Sequence, residues 1–223
     1  MTARRTLAAG LITAVMLALG ACGSGDADSE TGTETVGGSP GGALERFETE
    51  RVAFNVDPTW THSPLENVTT VLMSGMTVFD EALWRGEDPV VEVLTYRFYG
   101  QGSQPRDEEA PADAIAKALD EGVQAYASMQ PDSLGTQLTE TAQGCVGPAE
   151  FLTEPERFDP PGLQGLRFQY ECDSTGMRQS AWFAMFIDTF GDRHQITIST
   201  DPDTAEQQAD RYLAILGSIE AIG

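Results

Sequence analysis

Residues 166–200 read LRFQYECDSTGMRQSAWFAMFIDTFGDRHQITIST, and they hold three strands in succession. Leu166, Phe168, Tyr170 and Cys172 alternate with Arg167, Gln169 and Glu171. That period of two gives a strand with one apolar and one polar face. Residues 177–187 (MRQSAWFAMFI) are apolar on both parities in their middle, the pattern of a strand covered on both sides. His194, Ile196 and Ile198 then alternate with Gln195, Thr197 and Ser199. Short turns join the three, so they run antiparallel.

Working outward, Asp201-Pro202 opens a closing helix whose stripe is Ala205, Ala209, Tyr212, Leu213, Leu216 and Ile219. Upstream, 146–162 reads as a long Pro-rich loop carrying Phe151 and Phe158, and 136–143 as a weak strand leading to Cys145. Pro111 suits a first helical position, and Ile115, Leu119, Val123 and Tyr126 follow at helical spacing, with an end before Pro131. Further strands are predicted at 51–56, stopped by Asp57-Pro58, at 68–73, at 75–79 as a hairpin partner, and at 90–99 with Leu94, Tyr96 and Phe98 on one face. Two helices must cover this sheet, so the fold class is α+β, a mainly antiparallel sheet layered with helices, in one domain over 45–223.

A Phe-containing strand followed by Pro58-x-Trp60, a central helix, three successive strands and a closing helix with Leu213-x-x-Leu216-x-Ser218-Ile219 resemble the PsbP-like fold. Within it, the chain is similar to the LpqN-type actinobacterial lipoproteins over roughly residues 47–223. The resemblance implies a non-enzymatic domain that binds envelope proteins or envelope metabolites, and it brings no catalytic residues with it.

The N-terminus has its own pattern. Arg4 and Arg5 precede an apolar run from 7 to 19, too short at about 1.5 Å per residue to cross a hydrocarbon core of roughly 30 Å. Leu19-Gly20-Ala21-Cys22 resembles the lipobox of bacterial lipoproteins. That resemblance implies a signal peptide over 1–21 and lipidation of Cys22; the other reading is an ordinary secretory signal cut near Ala21. Residues 23–42 are Gly, Ser, Thr, Asp and Glu with almost nothing apolar, which cannot offset ordering entropy. A flexible acidic linker is expected over 22–44. The expected location is the extracytoplasmic face of the cell membrane, held by lipid.

Charge narrows the partners. With the signal removed, 11 basic residues face 35 acidic ones, a net −24. Phosphate backbones and anionic headgroups repel such a chain, which disfavours nucleic acid and direct docking on an anionic membrane. With Cys22 lipidated, Cys145 and Cys172 form an even pair, read as a disulfide in an oxidising compartment; two free buried thiols are the alternative.

Catalytic signatures are weak. Gly37-Gly38-Ser39-Pro40-Gly41 matches a nucleophile-elbow spacing but lacks the strand before and helix after that the motif needs. His62 and His194 are the two histidines. His194 has the apolar parity of its strand and reads as packed, while His62 sits beside Ser63-Pro64 in a loop, without the geometry a nucleophile needs. Neither His-Glu-x-x-His nor Cys-x-x-Cys occurs, so no metal and no cofactor are expected. The reading is a non-enzymatic adaptor for another envelope protein, with a carrier of a small apolar molecule and an envelope hydrolase as alternatives. The expected interaction surface joins 57–64 to the 146–162 loop. Trp60 and Phe151 are its anchors, with His62 and Phe158 beside them.

Overall fold

The computed structural model describes residues 43–64, 76–86, 91–102, 104–141, 145–174 and 176–222. The signal, Cys22, the linker up to residue 42 and the strand expected at 68–73 lie outside the described residues. The three-strand stretch forms as its alternation requires. β8 (Gln164–Ser174), β9 (Met177–Ile187) and β10 (Arg193–Thr200) make an antiparallel meander. β10 pairs onward with β5 (Glu92–Gln101), then β4 (Met76–Gly86) and β3 (Thr61–Pro64). The order is β3-β4-β5-β10-β9-β8-β6, with β6 (Ala149–Phe151) and β7 (Glu156–Arg157) both on β8. β1 (Glu45–Glu48), β2 (Val52–Val56) and β11 (Glu220–Ala221) form a second sheet, ordered β1-β2-β11. The helices are α1 (Ala112–Ala127), α2 (Pro131–Thr141), α3 (Pro202–Gln207) and α4 (Ala209–Gly217). The fold is α+β.

Two cores explain the residue pattern. On one face of the large sheet, Leu166, Phe168, Tyr170, Phe183 and Met185 pack with Ile115 and Leu119 of α1 and Leu134 and Leu138 of α2. On the other, Leu94, Tyr96, Ile196, Ile198, Ala184 and Phe186 pack with Val52 and Phe54 of β2 and Tyr212, Ile215 and Leu216 of α4. β9 contributes to both, which is why it is apolar on both parities.

Several elements differ from the sequence reading. Of the strand expected at 136–143, the described residues 136–141 are helical: Pro131 starts α2, and Leu134 and Leu138, four apart, bury one helical stripe. The 146–162 segment is no free loop. β6 and β7 pair with β8, and between them the N–H groups of Leu152 and Thr153 donate to the Gln169 carbonyl. This segment satisfies the outer edge of β8, where an open ladder would invite aggregation. The hairpin partner expected at 75–79 runs on to Gly86, its register shifted between Val78 and Asp80. Pro111 caps α1 from outside, with ψ of 127°, and is not its first helical residue. The closing helix breaks at Gln208 into α3 and α4. Cys145 and Cys172 are disulfide-bonded, Cα atoms 5.6 Å apart, and both are buried.

Candidate functional site

The β8–β9–β10 meander presents a different surface at each end. At the β9–β10 turn, Gly191 takes φ of +82°, which brings Asp188 and Asp192 together under the same loop. Asp188 is saturated. One oxygen accepts from the backbone N–H of Phe190 and of Asp192, at 3.0 and 2.9 Å. The other meets Arg51 Nη1 at 2.8 Å and His194 Nε2 at 3.3 Å. A proton on Nε2 satisfies that contact, leaving Nδ1 to accept from the Tyr96 hydroxyl at 3.0 Å. Asp192 accepts the Arg106 backbone N–H at 2.7 Å, and its Oδ1 is buried without a hydrogen-bond partner, 3.8 Å from Arg106 Nε. The Arg51 guanidinium lies over the Phe190 ring, 4.4 Å from its centroid.

The two carboxyls are driven in opposite directions. Burial pushes Asp188 up, but hydrogen bonds from His194 and Arg51 outweigh it and hold the group below the usual carboxylate range. Burial pushes Asp192 above that range; the Arg106 N–H opposes this and the Asp188 charge adds to it. His194 and Tyr96 are 0% and 1% exposed, so the Asp188–His194–Tyr96 chain ends inside the core. The cluster ties β2, β5, the segment around Arg106 and the β9–β10 turn together. Beside it, a cavity of about 370 Å³ opens between the turn and the start of α1, lined by Asp188, Thr189, Glu109, Ile115, Leu163 and Gln164.

The opposite end is apolar. A groove of about 240 Å³ runs along the starts of β5 and β9 and the ends of β8 and β10, with Val91, Val93, Met177, Gln179, Ser199 and Asp201 in its walls. Val91 is 44% and Met177 71% exposed. Val146, 66% exposed, is brought to the same end by its N–H bond to the Asp173 carbonyl, at 2.6 Å. Leu152, in the turn between β6 and β7, is the fourth exposed large hydrophobic among the described residues. On the opposite face of β9 from Met177, Arg178 is held by Glu171 at 2.9 Å, Glu150 at 3.7 Å and Asp173 at 3.9 Å. Asp201 caps α3. Burial pushes the Asp201 carboxyl up, but hydrogen bonds from Thr204 and Asp203 prevail and keep it below the usual range. Such a groove can take an apolar side chain.

The residues expected to form the interaction surface are elsewhere. Trp60 is 6% exposed and packs in the core against Gly86, where an added Cβ would lie 2.6 Å from the indole nitrogen. It is therefore no exposed anchor. Phe151 is half-buried on β6 with its ring 5.2 Å from Phe168, and Phe158 is half-buried beneath the Arg167 guanidinium, 4.4 Å away. His62 is exposed, but on strand β3 and not in a loop; it stacks on Trp84 at 4.7 Å. β3 and β6 are opposite edges of the large sheet, so 57–64 and 146–162 do not share one edge. Sequence reasoning passed over Val91, Val146 and Met177. For Val146 and Met177 the signal was an apolar residue beside a glycine of positive φ, Gly147 at +101° and Gly176 at +89°.

No family model matches the sequence, and no curated protein matches it. Among solved structures, the chain is similar to cyanobacterial PsbP (CyanoP) from Synechocystis sp. PCC 6803, at 14% identity and a TM-score of 0.47, covering 83% of this chain and 98% of that one. It is also similar to LpqN, described as involved in cell envelope biogenesis of Mycobacterium tuberculosis, at 10% identity and a TM-score of 0.40, covering 74% and 92%. With TM-scores under 0.5, nothing of either protein's role is carried over to this chain.

Proposed function

We propose that this protein is an envelope lipoprotein, lipidated on Cys22 and held on the extracytoplasmic face of the membrane, whose domain is a non-enzymatic binding module for another envelope protein. The observation that supports this reading is that Val91 and Met177, 44% and 71% exposed, line one groove at an end of the meander. Exposed apolar side chains scattered singly need no explanation, but two sharing one groove suit a partner. The tether adds to this by raising the domain's effective concentration for neighbours at the same membrane.

The test is in-cell crosslinking with the lipidated protein as bait and Cys22→Ala as control. One envelope protein enriched with the lipidated bait is the expected result. No enriched protein would overturn the adaptor reading. A second reading, a carrier of a small apolar molecule, draws on the cavity of about 370 Å³ beside Asp188, which falls within the range of ligand sites. Its mark is a copurifying small molecule in native mass spectrometry.

A further inference from the structure

We propose that Asp192 is the trigger of a pH-operated latch: protonated, it lets residues 106–110 lie shut against the β9–β10 turn, and ionised, it releases them and widens the cavity beside Asp188. This does not depend on the binding-module reading.

Three hydrogen bonds fasten the segment to its surroundings. The Arg106 N–H donates to Asp192 at 2.7 Å, the Ala110 N–H to the Thr189 carbonyl at 2.8 Å, and the Arg51 guanidinium to the Arg106 carbonyl. The Arg106 side chain lies over the turn, where a Cβ added to Gly191 would come 2.8 Å from its Nη1. Asp192, 0% exposed, sits beneath this cover. Glu109, Ala110 and Ala112 form one wall of the cavity, and Asp188 and Thr189 another.

While covered, Asp192 is suited to its neutral form. Its Oδ1 has no hydrogen-bond partner and stands 3.8 Å from Arg106 Nε. It is so close to β5 that a Cβ on Gly100 would lie 2.4 Å from it. The other oxygen shares Arg51 Nη1 with Asp188, at 3.4 Å against 2.8 Å, so one cationic nitrogen faces two carboxyls. Asp188 has four donors and keeps its charge, so Asp192 is the member of the pair that takes the proton. The remaining neighbours do not reverse this. β10 presents His194, which is turned to Asp188; β5 and β4 present Gly100 and Phe79, which do not ionise; and Asp107, Glu108 and Glu109 are exposed. Once ionised, Oδ1 is a buried charge without a donor, strongly unfavourable until water reaches it. Lifting 106–110 admits that water. Burial raises the Asp192 carboxyl above the usual range, so by linkage the covered form holds the proton and is lost as pH rises through the raised value.

The experiment is hydrogen–deuterium exchange of the full-length lipidated protein, read by mass spectrometry from about pH 4 to 7 and corrected for the intrinsic pH dependence of exchange. Peptides covering 107–112 report the latch, and peptides covering 181–187 report the core. Wild type should lose protection at 107–112 by about tenfold as pH rises, the equivalent of one buried polar atom left unsatisfied, while 181–187 stays protected. Asp192→Asn, neutral at every pH, should keep the acid-form protection throughout. Glu109→Gln, which alters an exposed acid of the same segment, should respond like wild type. A carbon-13 NMR titration of the Asp192 carboxyl in wild type gives a second measurement that needs no variant, and its midpoint should coincide with that of the exchange. Flat exchange at 107–112, or two separate midpoints, would overturn the latch. A parallel fall at 181–187 would overturn it too, since the whole domain would then be responding. Protection that rises with pH would mean that the ionised Oδ1 captures Arg106, and would overturn the direction. A pH response that survives in folded Asp192→Asn would move the trigger to another group, His194 first, and overturn the assignment.

Discussion

Arg51 joins the β9–β10 turn to the segment around Arg106. Its guanidinium meets both Asp188 and Asp192, and it also donates to the Arg106 carbonyl. Removing one partner of a buried ionic group leaves uncompensated charge, which costs more than the intact pair contributes. Arg51→Ala should therefore lower unfolding free energy by about 3 kcal/mol in urea titration, while an exposed change such as Arg46→Ala, on β1, should leave the unfolding midpoint nearly unmoved. The two aspartates then predict opposite pH responses. Asp188 has a lowered folded pKa, so its contribution is present above the unfolded carboxylate value and is lost as pH falls through the folded one. Asp192 has a raised folded pKa, so the folded state holds its proton more tightly, and that contribution is lost as pH rises from about 4 through the folded value. Asp192→Asn removes the second effect. Its stability relative to wild type should therefore improve as pH climbs from about 4 to 7; parallel curves would mean that Asp192 does not titrate in this window. The parity of β10 shows in the sequence that His194 packs inward. That it meets Tyr96 and Asp188 there does not, since Tyr96 is 98 residues away in the chain.

At the scale of elements, α2 is held by a contact no propensity contains. A Cβ on Gly135 would lie 1.9 Å from the Gly147 carbonyl oxygen, and Gly147 itself holds φ of +101°. Gly135→Ala improves helix propensity by about 1 kcal/mol, yet forces α2 off the β6 segment. A net loss of about 1–3 kcal/mol is expected from chemical denaturation; a gain would show that the contact yields. The disulfide clamps the same region. Its residues are 27 apart in sequence, and replacing both Cys145 and Cys172 by Ser should cost about 3–4 kcal/mol. The strands of 164–200 are legible because their apolar pattern has period two and their partners are sequence neighbours. α2 is not, because threonines at 136, 139 and 141 mimic a strand and only Pro131 with Leu134 and Leu138 carries the helical spacing. β6 and β7 escape notice because strands of three and two residues have no period to read.

Across the whole molecule, the division of labour between the two ends of the meander is what the sequence hides most. Aromatic identity pointed to Trp60 and Phe151 as anchors, but large aromatic rings are also what cores consume. Trp60 is taken up by the space that Gly86 leaves, 26 residues further on, and no local pattern records that. The exposed groups at the apolar end are ordinary aliphatic residues, and the groove they line is assembled from four strands that meet only after folding. The acidic excess, by contrast, is legible from composition alone. The most direct test of the account is in-cell crosslinking capture with lipidated wild type against lipidated Met177→Glu, with thermal unfolding of both proteins measured alongside. Met177→Glu should unfold like wild type, because Met177 is 71% exposed, and should lose the captured envelope protein. Capture of the same protein by a folded Met177→Glu at wild-type yield would contradict it.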